Sequence, residues 1–448
     1  MGTGSGPRRM GLDGEKLERG LRALRAPFAD TPARLWLTGA VLIVAAAVFA
    51  VLAATSVNER GNAADSAANE TEPLMSEAVG LYAALSDADA TAATTFLTGG
   101  LESPDRRRRY LADLRVASER LTTLTPRVRS AGAARAAAQD LGTQLHLYAG
   151  QIETARANNR QRLPVGAAYL RRASTLMREQ MLPAAKRIYA LEARRLADNY
   201  HTGTADRTLL MVVAGAVVLL AVLLAAQVYI ARLTHRFFNV PLVAATAIIV
   251  GLTSWILIAF VIEQNSLAAA RDKGSDSVQV LSAMRILALR AQADESLSLV
   301  ARGGGQEHLA DFDAVMEALL GDQAGEGLTR EAAAVARRTG SSDEVAALAA
   351  TLDRYRMLHE EIAAMEANGD FDGAIRRAVA PGAKQARVSE QLNAELGKQI
   401  TSAQERFDAE AADATSALKG LWIAIPLLVT LATGLGLLGL RARIVEYR

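Results

Sequence analysis

The chain has 448 residues, half of them hydrophobic and only 5% aromatic, and its 50 Lys and Arg nearly balance 48 Asp and Glu. The formal charge of +2 hides a segregation between membrane, inside and outside, and no nucleic-acid partner is expected. The absence of cysteine excludes disulfides, thiolate metal sites and cysteine nucleophiles, so folded parts must be stable through packing alone.

Residues 1–34 are basic. Leu12, Leu17, Leu21, Leu24 and Phe28 fall at roughly helical spacing among Lys16, Arg19, Arg22 and Arg25, which fits a helix on the inner membrane surface or a disordered basic tail. Four long apolar runs follow, at 35–57, 208–231, 237–262 and 420–440. A helix of about 20 apolar residues crosses a bilayer. A central Asp, Lys or Arg would disfavour insertion by roughly 2.5–3.5 kcal/mol, and none of the runs contains one. The short tether 232–239 carries Arg232 and Arg236, which places it in the cytoplasm by the positive-inside rule. An even number of spans puts both termini there too. The expected organisation is therefore a cytoplasmic segment 1–34, transmembrane helices at 35–57, 208–231, 240–262 and 420–440, extracytoplasmic segments 58–207 and 263–419, the tether 232–239 and a cytoplasmic tail 441–448. The chain is expected in a bacterial cell membrane, with the lipid bilayer as its first partner.

In the first outer segment Leu74, Ala78, Leu81, Leu85, Ala88, Ala92 and Phe96 predict a helix that stops at Gly99-Gly100, with Pro73 as a kink. Ser103-Pro104-Asp105 starts a second helix, with Leu111, Leu114, Leu121 and Leu124 before Pro126. Ala138, Leu141, Leu145, Tyr148, Ile152 and Ala155 make a heptad seam for the third. The fourth carries Leu170, Ala173, Met177, Met181, Ala184, Ile188 and Leu191, with Pro183 bending it.

The second outer segment repeats this order. Leu81, Ala83, Asp89 and Gly99-Gly100 align without gaps on Ile286, Ala288, Asp294 and Gly304-Gly305, and Leu141, Leu145 and Tyr148 match Leu348, Leu352 and Tyr355. A Gly-rich insertion with a short helix lies between Gly321 and Ser342, and Ser341 with Glu344 reads as a capping box. A long last helix, Leu392 through Leu418, is expected to enter the membrane without a break. The fold class is all-α: four transmembrane helices with two tandem extracytoplasmic antiparallel four-helix bundles.

No catalytic residue, cofactor or metal site is expected. The five histidines show no His-Glu-x-x-His spacing, and His359 falls on the helical seam as a structural residue. Gly434-Leu-Gly436-Leu-Leu-Gly439 matches a dinucleotide pattern but sits in a span with no strand before it, so close helix packing explains it better. Ligand-binding candidates are Arg106, Arg107, Arg108 and Arg109, then Arg171, Arg172, Arg376 and Arg377, whose guanidinium groups suit carboxylates and phosphates. Asp89 and Asp294 join them because they stand beside the seams of corresponding helices.

Paired outer bundles on four spans, with Leu-Tyr-Ala-Ala-Leu-Ser-Asp-Ala-Asp-Ala-Thr-Ala (81–92) and Phe-Leu-Thr-Gly-Gly (96–100), resemble the actinobacterial membrane sensor that works with a glutamine-binding lipoprotein and serine/threonine protein kinase G. Each bundle is also similar to the sensor module of bacterial chemoreceptors. The first resemblance implies amino-acid sensing through an extracytoplasmic solute-binding lipoprotein and a cytoplasmic kinase or other effector. The cytoplasmic pieces total 50 residues, too few for a kinase domain of their own. A non-enzymatic receptor is the first reading, with a homodimer allowed. A non-switching envelope scaffold is the alternative. A transporter is disfavoured because no ionisable residue or broken helix marks a path.

Overall fold

The computed structural model describes residues 31–97, 102–128, 132–203, 206–234, 239–321, 327–380 and 382–445. The Leu12 to Phe28 segment, Gly99-Gly100, residues 235–238 of the tether, residues 322–326 of the insertion, Pro381 and residues 446–448 lie outside the described residues. Among the described residues the regular elements are all helical. They are α1 (Thr31–Ser66), α2 (Glu72–Leu97), α3 (Pro104–Arg127), α4 (Ala133–Arg160), α5 (Val165–Leu176), α6 (Leu182–Gly203), α7 (Asp206–Thr234), α8 (Val240–Ala269), α9 (Asp276–Ala301), α10 (Gln306–Leu320), α11 (Leu328–Thr339), α12 (Ser342–Ala367), α13 (Phe371–Val379), α14 (Lys384–Leu418) and α15 (Leu421–Val445). Short π-turns at Ala67–Thr71, Met177–Met181 and Ala270–Ser275 join α1 to α2, α5 to α6 and α8 to α9 without a break in helix.

The chain divides into two compact units. One holds residues up to Gly61, Thr204–Ile262 and Ala417 onward, and the other Asn62–Gly203 and Glu263–Ser416. The first unit is built from four helical stretches long and apolar enough to cross a membrane. Phe49 and Ala53 of α1, Leu219 and Leu223 of α7, Ile249 and Leu252 of α8 and Ile425 and Val429 of α15 fill its interior. Val44, Val51, Val217, Ile258, Trp422 and Leu427 face outward, the inside-and-outside apolarity that only a lipid solvent tolerates. This is a multi-pass membrane protein. Within the α15 glycine run, Gly436 lies where a Cβ would meet the Leu42 side chain at 2.7 Å, and Asn239 Nδ2 donates to the Gly439 carbonyl at 3.0 Å. Both contacts bring helices close through small residues. Arg60, at the end of α1, is buried; its Nε donates to Thr208 Oγ1 at 2.7 Å and its guanidinium stacks 4.3 Å from the Phe260 ring centre.

In the second unit α2, α3, α4 and α5–α6 form one bundle around the buried seam Ala138, Leu141, Leu145, Tyr148, Ile152 and Ala155. Leu111 does not join this core and is exposed on α3. Ser103 caps α3 by accepting from the Asp105 amide at 3.3 Å, and the helix continues through Pro126 to Arg127 rather than stopping before it. The second bundle packs α9, α10, α11, α12 and α14 around Met284, Phe312, Leu352 and Leu396. Its α10 has only 15 residues where α3 has 24, and α11 from the insertion covers core that the shorter helix leaves open. Ser341 is at the start of α12 but makes no capping bond; its hydroxyl pairs with Thr339 Oγ1 at 2.6 Å, so the capping box is not formed.

Two prolines stand beside π-turns. Pro73 and Pro183 each stand two residues after one, and Glu72 and Leu182 donate to the carbonyls of Ala67 and Met177, five residues back. A proline without an N–H, whose ring crowds the carbonyl four residues before it, is accommodated by a widened turn, itself a place where helices bend. The last helices differ from expectation. α14 ends at Leu418, and Gly420 at φ +89° separates it from α15, so it does not run unbroken into the span. A left-handed residue ends an α-helix because its carbonyl and amide leave the helical ladder. Among the described residues, α1–α2 and α8–α9 pass from one unit to the other without a break in helix.

Glu72, beside the first π-turn, is buried, and Oε1 makes no hydrogen bond. Burial, reinforced by the Asp408 carboxylate, pushes its pKa up to about 7. Between its ordinary value and that raised value the folded chain binds a proton that the unfolded chain has lost. Stability is therefore full below the unfolded pKa and falls as pH rises towards 7, by about 3 kcal/mol for this one group. Asp113, raised to about 7 by burial and by Asp87, adds a loss of the same sign. Glu72→Gln should make the decline of melting temperature with pH shallower in the full chain. An unaltered slope would contradict the assignment.

Candidate functional site

The two bundles meet along α2 and α9 within the second unit, and the polar residues of these helices define the site. A helix that packs against both its own bundle and the other one has no solvated face, so its polar side chains must find partners. Asp89 on α2 is buried and accepts from Tyr148 at 3.2 Å and Ser174 at 2.9 Å. Burial raises its pKa, opposed by the Arg178 guanidinium and the two hydroxyl donors and reinforced by the Asp294 carboxylate.

Arg178 lies in the π-turn Met177–Met181 and forms an ion pair with Asp294 Oδ1 on α9. It therefore stands between the two acids, one from each bundle. Asp294 is fully buried, with Arg290 Nε and His308 Nδ1 each 3.7 Å away, and Asp311 lies 3.6 Å from Arg290 and 3.7 Å from Arg178. The extra residue of the π-turn decides which face of the helix Arg178 occupies. Pro183 stands two residues beyond that turn, and the sequence does not single out Arg178.

Next along α9, Glu295 holds a second network. Tyr355 donates to it at 3.1 Å, Gln385 Nε2 lies at 2.7 Å and His359 Nδ1 at 2.8 Å, while His359 stacks on Phe312 with ring centres 3.5 Å apart. His359 is thus a buried packing and hydrogen-bonding residue. The Tyr148–Asp89 pair of the first bundle finds its like in Tyr355–Glu295, one position beyond the Asp294 that gap-free alignment matches to Asp89.

The arginine candidates separate. Arg106 donates from Nη2 to the Val379 carbonyl at 2.8 Å, Arg107 pairs with Glu153 at 2.6 Å, Arg108 pairs with Asp105 and Arg109 meets Glu390 at 3.3 Å. Arg106 and Arg109 thereby tie α3 to the second bundle, next to Asp87, which Arg285 pairs at 3.0 Å. Arg106 and Arg109 line one small cavity with Gln385 and Glu390, which Arg107 and Arg108 do not join. Arg171 and Arg172 are exposed on α5, Arg376 is exposed on α13, and Arg377 pairs with Glu361. Only Arg171 comes near the acids: it lines, with Arg178, Lys186, Arg290, His308 and Asp311, a cavity of about 650 Å³.

Asp294, His308 and Asp311 bring potential ligand atoms within 4.8 Å of one another, the one such group among the described residues. Sequence spacing does not reveal it because Asp294 and the other two lie on different helices. Two guanidinium groups already balance its two carboxylates, which disfavours a further cation.

Residues 63–201 match the family model described as Actinobacterial sensor domain. The match runs from the end of α1 through α6 and includes Asp89 and Arg178, and it supports a sensory role for a helical membrane protein. No curated protein and no solved structure matches the chain.

Proposed function

We propose that the protein is a non-enzymatic transmembrane receptor that relays extracytoplasmic amino-acid availability, delivered by a solute-binding lipoprotein, to a cytoplasmic partner such as a serine/threonine kinase. The observation that carries this reading is the match of residues 63–201 to a sensor domain whose first helix is continuous with an apolar span. A ligand shifts such a device only through different affinity for two packings. The unbroken α1–α2 and α8–α9 helices are the natural carriers, because helix shifts of about 1–2 Å are typical of switching elements. Both bundles lie outside and both termini inside in this reading.

Orientation has a direct check, since the chain has no cysteine of its own. Gly305 is a poor reporter because a Cβ there would stand 2.6 Å from the Ser298 Cα, whereas Gly150 has open space. Cysteines at Gly150 and Asp343 should react with a membrane-impermeant thiol reagent in intact cells, and one at Thr234 should not. Labelling at Thr234 alone would invert the topology.

Signalling is tested by disulfide formation between cysteines at Leu52 and Gly215, where Leu52 Cδ1 lies 3.2 Å from the Cβ position of residue 215. The crosslinking rate should change when amino acid is supplied to cells that contain the lipoprotein. An unchanged rate under every amino acid would favour the scaffold.

A further inference from the structure

We propose that the cavity beside Arg178 and Asp294 is itself a binding site for a free α-amino acid. This goes beyond the relay, in which the amino acid arrives on another protein, and shares with it only the sensory role.

The cavity carries both signs of charge. Arg171, Arg178, Lys186 and Arg290 face Glu179, Glu307 and Asp311 around a volume of about 650 Å³. Asp294 lies behind it, fully buried and ion-paired to Arg178 through Oδ1, while its Oδ2 has no hydrogen bond. Arg178 Nη2 and His308 Nδ1 are likewise buried without one. Buried polar groups are normally satisfied, so donors and acceptors left open together around one cavity call for a ligand offering both. The contacts of Arg290 and His308 to Asp294 and of Arg290 and Arg178 to Asp311, at 3.6–3.7 Å, are longer than hydrogen bonds, so the pairs that line the cavity keep hydrogen-bonding capacity for a ligand.

The charge balance selects the class. A simple anion would satisfy Arg178 and meet repulsion from Asp294 and Asp311, and a metal ion would do the reverse. An amino acid places its carboxylate by Arg171, Arg178 and Lys186 and its ammonium by Asp311, Glu179 and Glu307. Tyr82, Leu182 and Leu297 supply apolar wall for its side chain. The site joins residues of both bundles, so occupancy changes how they hold each other.

The test uses the purified full chain in lipid nanodiscs without any lipoprotein. Each of the common L-amino acids is titrated, with its decarboxylated amine and its deaminated acid as controls, and Zn²⁺ alone as a separate probe. At least one amino acid should bind saturably at one per chain, and its amine and acid should bind about tenfold weaker or worse. Arg171→Gln, Lys186→Gln and Asp311→Asn should each weaken binding about tenfold, while Glu153→Gln should not. If Asp311→Asn fails to fold, the exposed Arg171 and the Lys186 variants still decide. No saturable binding, binding insensitive to these changes, or tight Zn²⁺ uptake without amino-acid binding would each overturn the inference. Binding to the isolated chain with no lipoprotein effect in cells would instead overturn the relay alone, and the converse would leave the relay standing.

Discussion

Arg178→Ala will destabilise the bundle unit by about 3–5 kcal/mol, the usual cost of removing one member of a buried ion pair. Asp294 is fully buried and keeps only Arg290 and His308, each at 3.7 Å, once the Arg178 pair is gone. Asp89 loses the same positive neighbour. The unpaired carboxylate is then taken out of water without compensation, which is the expensive half of such a substitution. Adding Asp294→Asn to Arg178→Ala should recover much of the loss, because it removes the orphaned charge. Thermal unfolding of the four chains in nanodiscs gives the coupling directly. Additive effects would mean that Arg178 and Asp294 do not act as a pair.

Gly274→Val will be about as damaging for a steric reason. Gly274 lies in the π-turn Ala270–Ser275, and a Cβ there would stand 2.7 Å from the Phe407 Cα and 2.9 Å from its amide nitrogen. The obstacle is backbone, so α14 itself must move, and the cost exceeds the roughly 1–3 kcal/mol of ordinary overpacking. Gly397→Val is the control, because nothing lies within 4 Å of the corresponding position on the same helix. Equal melting temperatures for the two variants would exclude the close approach of α8–α9 to α14.

Spans and bundle helices were legible in the sequence because they depend on composition and period. Uninterrupted apolar runs have one solvent that suits them, and a seam such as Ala138 to Ala155 buries one face of whatever helix carries it. Tertiary structure alone decided the partners of the polar residues. Asp89 and Asp294 are distant in sequence and were linked there only by likeness, whereas the fold sets them around Arg178, which lies in the π-turn Met177–Met181. The arginine run reads as a patch on paper, yet successive helical positions point about 100° apart, so its members reach Glu153, Asp105, Glu390 and the Val379 carbonyl separately. The break at Gly420 was hidden for a related reason: a glycine after a long helical pattern is tolerated in the helix or ends it, and only the surrounding packing selects the left-handed backbone found there.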